Sequence, residues 1–258
     1  MATVLALHAS GMSSRQWRSL GERLGSAYRL VAHDFLGSGA REPWPHERPF
    51  HFREDVAEVC ARIDELEEPV HLVGHSYGGF CALQVLLDRV RASRIRSVAV
   101  YDPVAFGVLR EPPDPVGLAD LASASHESFL DDRTGGDERW LEAFIGYWNG
   151  PGAWQALPEP MRVHQRRMGR KVYFEVKSLM ADPTPASAYA SFTGPVLILS
   201  GERSPAAARR VAEVLAGALP GARLCSVDGA GHMGPFTHAT EVNDAIAEHL
   251  GRVDHEAR

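Results

Sequence analysis

Ser76 stands in Gly74-His75-Ser76-Tyr77-Gly78-Gly79, between the apolar run PVHLVGH and the segment FCALQVLL. A serine hydroxyl is a weak nucleophile. Chemistry at such a position is acyl transfer with help: a base to take the proton, and donors for the oxyanion formed when Oγ attacks a carbonyl. Glycine on both flanks suits a sharp strand-to-helix turn, because side chains at 74 and 78 would collide with neighbouring elements. Such a turn holds Ser76 in strained backbone angles and pushes Oγ out over a sheet edge. It also puts the Tyr77 amide at a helix start, facing the developing negative charge.

The base with the right address among twelve histidines is His232, in SVDGAGHMGPFTH. It lies in a glycine-rich loop after the last expected strand, and glycines at 229, 231 and 234 let that loop approach the sheet closely. The second oxyanion donor is expected from the loop in VLALHASGMSS, with the Ser10 amide first and Ala9 as its substitute. His8 reads as a structural hydrogen-bonder of that loop.

These residues need a scaffold. The runs ATVLALH, YRLVAHD, PVHLVGH, IRSVAVYD, GPVLILS and ARLCSVD are apolar on both faces, the pattern of strands in a parallel sheet buried on both sides. Helix-like segments separate most of them: SSRQWRSLGERLG, Phe52 to Leu66, FCALQVLLDRV, SPAAARRVAEVLAGAL, and Thr240 to Leu250 stopped by Gly251. Alternation of strand and helix gives an α/β class with right-handed crossovers. Residues 105–194 lack a strong strand and read as a helical cap inserted into a core of 1–104 and 195–258. Trp140, Phe144, Tyr147 and Trp148 share one helical face there. With Met233 they are the expected pocket lining. The basic stretch Arg162 to Lys171 reads as a solvated helix face rather than a carboxylate site.

The bulk numbers fit a small-molecule enzyme. A chain of 258 residues with 45% hydrophobic content can bury a full core, and a net charge of −6 disfavours nucleic acid or an anionic membrane as partner. Cys60, Cys81 and Cys225 show no metal or disulfide spacing and suit a reduced, cytoplasmic setting, with Cys81 a small buried residue. No signal peptide or membrane span is expected. Neither metal nor organic cofactor is expected, and the chain is a monomer or homodimer.

LHAS after the first strand, HDFLGSG after the second, GHSYGG, SGERSP and GAGHMGP together resemble the α/β-hydrolase superfamily over nearly the whole chain. The resemblance implies a mainly parallel sheet of about six strands, with the family's first two strands absent, helices on both faces and a helical cap. It implies a serine hydrolase that cleaves a small ester, thioester or lactone through an acyl-enzyme on Ser76. The alternatives are carbon–carbon bond hydrolysis of a diketone-like ring-degradation intermediate, and a non-catalytic binding module on the same fold. Three departures matter: Ala9 stands where the family usually has glycine after the histidine, the sheet lacks its first strands, and the acid is missing from its usual place. The position where the family usually carries its acid, after SGER, holds Ser204. The first candidate for a relocated acid is Asp102, which ends the strand next to that of Ser76; some family members place it there. Glu202, Asp228 and Asp34 follow, and a dyad without acid remains.

Overall fold

The computed structural model describes residues 1–45, 47–124 and 129–256. Six strands form one parallel sheet: β1 (Ala2–Leu7), β2 (Tyr28–His33), β3 (Val70–His75), β4 (Ile95–Tyr101), β5 (Val196–Gly201) and β6 (Ala222–Val227), in the order β2-β1-β3-β4-β5-β6. From β1 the chain turns outward to β2, and from β3 it turns the other way to β4. The loops after β1 and β3 therefore diverge and leave a crevice at the carboxyl ends of adjacent strands, where open α/β sheets bind ligands.

Alternation along the strands divides the core in two. Leu5, Leu7, Leu72, Val98 and Ile198 face α2 (Phe52–Glu65), α3 (Tyr77–Val85) and α9 (Ala206–Ala218). Val4, Ala6, Val73, Ala99 and Leu197 face α1 (Arg18–Leu24) and α11 (Ala239–Glu256). The short helices α4 (Arg89–Ala92) and α10 (Gly234–Thr237) complete the body. Between β4 and β5 the chain forms α5 (Pro115–Ala124), α6 (Glu138–Asn149), α7 (Ala153–Ala156) and the long α8 (Glu159–Ala181). Helix α6 starts at Asp137, whose carboxylate accepts from the Trp140 amide at 2.8 Å, and ends at Gly150 with φ 92°. Those two ends fix where its aromatic face points.

Two expectations change. Burial on both faces holds for β3, β4 and β5, but β2 and β6 lie at the sheet edges and are half-exposed. Helix α11 does not stop at Gly251 but runs on to Glu256. Leu250 and Val253 are buried on either side of that exposed glycine. Their packing outweighs the roughly 1 kcal/mol that an interior glycine costs a helix.

Candidate active site

The turn after β3 is as tight as its glycines imply. Ser76 has φ 54° and ψ −117°, a combination non-glycine residues rarely adopt. A Cβ on Gly78 would fall on the Leu7 and His8 carbonyls, and one on Gly74 would fall on the Gly78 backbone. The Ser76 amide donates to the Tyr101 carbonyl at 2.9 Å, which ties the turn to β4. Tyr77 then opens α3, where first-turn amides have no partner within the helix.

A continuous hydrogen-bonded chain follows. Ser76 Oγ donates to His232 Nε2 at 2.9 Å, and His232 Nδ1 donates to Asp102 Oδ2 at 3.2 Å. All three side chains are buried. Asp102 leaves β4 with φ 41°, a left-handed conformation that aspartate tolerates better than most residues. Its carboxylate is saturated: Ser200 Oγ donates to Oδ1 at 2.8 Å, the Gly201 amide to Oδ1 at 3.4 Å, and Ser204 Oγ to Oδ2 at 2.5 Å. The serine standing where an acid was expected thus holds the carboxylate that reaches the histidine. The other candidates are elsewhere. Glu202 Oε2 accepts from the Gly229 amide at 2.8 Å, Asp34 accepts from the Ser14 amide at 2.6 Å, and Asp228 is exposed.

The loop after β1 is pinned by a relay that sequence reading missed. The Ala9 amide donates to Gln16 Oε1 at 3.0 Å, Gln16 Nε2 donates to His75 Nδ1 at 3.1 Å, and His75 Nε2 donates to the His232 carbonyl at 2.8 Å. Gln16 carried no signal beyond being a polar residue on the apolar side of SSRQW. The relay turns the Ala9 N–H toward Gln16. Ser10 lines both cavities beside Ser76. His8 is structural as expected: Nδ1 donates to the Ala9 carbonyl at 2.7 Å, and Nε2 accepts from the Phe35 amide at 3.3 Å.

Burial drives the His8 imidazole down to about 4, and burial with the nearby His232 drives His75 well below its ordinary value. Both are neutral in the fold and protonate more readily once unfolded. The unfolded chain therefore takes up more protons as pH drops through 6.5, and stability falls with it. His8 alone accounts for about 3 kcal/mol lost by pH 4. Urea midpoints measured from pH 7 down to 4.5 should fall continuously; a flat profile would mean that these histidines take up protons as readily in the fold as in the unfolded chain.

Helix α6 covers this hydrogen-bonded chain. The Trp148 ring stacks on the His232 imidazole, centroids 3.7 Å apart at 24°. Phe144, Tyr147 and Trp148 line the space above Ser76, with Met233 opposite. Trp140 does not line it. It is buried one turn back, stacked between Phe129 and Phe144 in the insert's own core. The expected solvated face of α8 also needs correction at one residue. Arg162 and Arg166 pair at the surface with Glu159 and Glu138. Lys171 is instead buried, with Nζ 2.8 Å from Asp55 Oδ2 and 2.5 Å from Glu175 Oε1. Burial alone would push this ammonium down, but the two carboxylates outweigh it and hold it above its ordinary value. The Tyr77 hydroxyl donates to the same Asp55 oxygen at 2.9 Å, so the cluster also anchors the first residue of α3.

The model of the alpha/beta hydrolase family matches residues 4–245. The chain belongs to that family. This alpha/beta hydrolase is 27% identical over 256 residues to the dihydrolipoyllysine-residue acetyltransferase component of the acetoin cleaving system of Cupriavidus necator, which covers 96% of the chain. It spans only 63% of that relative's length. It is 25% identical over 273 residues to rhodomycin D methylesterase DauP of a Streptomyces species, covering 96% of the chain and 90% of the relative. An esterase structure from Exiguobacterium antarcticum superimposes with a TM-score of 0.72 at 19% identity, covering 98% of this hydrolase and 92% of the esterase. Among the described residues, no helix is long and apolar enough to cross a membrane, and no group of three or more His, Cys, Asp or Glu side chains could hold a metal ion.

Proposed function

We propose that the protein is a serine hydrolase of small esters, thioesters or lactones, working through an acyl-enzyme on Ser76. The observation that carries this reading is the unbroken line from Ser76 Oγ through His232 to Asp102. His232 Nε2 takes the Ser76 proton as Oγ bonds to the carbonyl carbon. The oxyanion is held by the Tyr77 and Ser10 amides. The bond to the leaving group breaks, and His232 returns its proton to that group. Water then gives a proton to His232 and attacks the acyl carbon; the carbon–Oγ bond breaks and Ser76 recovers its proton. Asp102 keeps Nδ1 protonated and steadies the imidazolium, while Trp148 covers the ring and offers its π face to the cation.

Intact mass after exposure to a fluorophosphonate tests the reading. Wild type should gain one adduct within minutes and Ser76→Ala none. A folded wild-type protein that stays unlabelled would sink the proposal and favour a binding role.

A further inference from the structure

The space around Ser76 is divided. One cavity is a narrow slot of about 40 Å³, walled by Val104, Phe106, Leu121, Leu179 and Met180. The other is a chamber of about 410 Å³ that runs past Met12, Asn149, Leu157, Met161 and Gln165. Both touch Ser10 and Ser76, and both share Phe144 and Trp148, which form the partition. Of these two, the wide chamber but not the slot is lined by His232. A third, more polar recess borders His232 without touching Ser76.

This asymmetry orients the substrate. The leaving group must receive its proton from His232 Nε2, so it has to lie on the side where that ring is exposed to the cavity. The acyl group then has the slot. At about 40 Å³ against about 410 Å³, the slot has room only for the smaller of the two groups. Its walls are apolar, and packed side chains yield little to an oversized guest. We infer that the natural substrate joins a short apolar acyl group, of the acetyl-to-butyryl class, to a bulky leaving group. The inference rests on the serine-hydrolase reading and adds a direction to it. An ester built the opposite way, with a large acid and a small alcohol, would have its bulk on the side without room.

Two isomeric esters separate these cases. In 2-phenylethyl acetate the aromatic bulk is on the alcohol; in methyl 3-phenylpropanoate it is on the acid. The atoms are the same. The acetate should show the higher kcat/KM by at least about tenfold, since one methylene too many in a fitted pocket already costs about 10–200-fold. In a p-nitrophenyl series, turnover should hold from acetate to butyrate and collapse by octanoate. Phe144→Ala, which opens the partition into the chamber, should restore octanoate relative to acetate. Equal rates on the two isomers, preference for the methyl ester, or an octanoate rate matching acetate would each overturn the assignment. Fluorophosphonate labelling of Ser76 in the same preparation keeps the two ideas apart. Labelling with the wrong isomer preference rejects the orientation alone; absence of labelling rejects the hydrolase itself.

Discussion

Replacing Asp102 by asparagine should lower kcat about 10⁴-fold with little change in KM. Among the described residues, the carboxylate alone accepts from His232 Nδ1, and its other lone pairs are filled by Ser200, Ser204 and the Gly201 amide. An amide cannot accept from all four. Its NH₂ would face a donor, and the relief is for His232 to move its proton to Nε2, where it can no longer accept from Ser76. Ester hydrolysis with a parallel thermal melt checks this. Turnover within tenfold of wild type would mean that another acid serves His232. Adding Ser204→Asp to Asp102→Asn should recover part of the rate, because Ser204 Oγ already sits 2.5 Å from the oxygen that serves the histidine.

Lys171→Met should cost about 3–5 kcal/mol of stability, since removing one member of a buried charge cluster leaves its partners uncompensated. Lys171 is 2% exposed and Asp55 and Glu175 no more, so water cannot take over. For a chain of this size the loss corresponds to a fall in Tm on the order of 10 °C. Arg166→Ala also removes contacts to two carboxylates, but at the surface, where such pairs are worth about 1 kcal/mol or less. Urea denaturation of both variants reads the contrast. Similar midpoints would show that the buried cluster is not the clamp between α8 and α2 that its geometry describes.

The sheet could be read from the sequence because its central strands are buried on both faces and so are apolar over nearly their whole length. The nucleophile turn was legible for a related reason: the collisions that exclude side chains at Gly74 and Gly78 leave a mark in residue type. Asp102 could be nominated because strand order puts the end of β4 beside Ser76. What stayed hidden depends on partners far along the chain. Lys171 looks like its neighbours Arg166 and Arg170 until α8 is laid against α2, and only then does Asp55 meet it. Gln16 reads as one more polar residue until His75 supplies its second contact. Trp140 shares a helical face with Phe144 and Trp148, but a period of 3.6 residues cannot say which part of that face looks into the insert's own core.

Under the proposed function, the place of Asp102 at the end of β4 has an engineering consequence. Ser76 and Asp102 both belong to chain that is complete before residue 105, on neighbouring strands that pair directly. Strand β5, where the insert rejoins the sheet, supplies neutral hydroxyl and amide support rather than the acid. The 105–194 segment is therefore spliced in downstream of both, and only His232 comes from chain beyond it. A roof exchanged as a unit would inherit a nucleophile and acid already set in register. It would have to preserve the return of β5, the cover over His232 and the Lys171 and Glu175 side chains that meet Asp55 next to Tyr77. Changing what the enzyme accepts is then a matter of transplanting one segment, with the reactive groups left where they are.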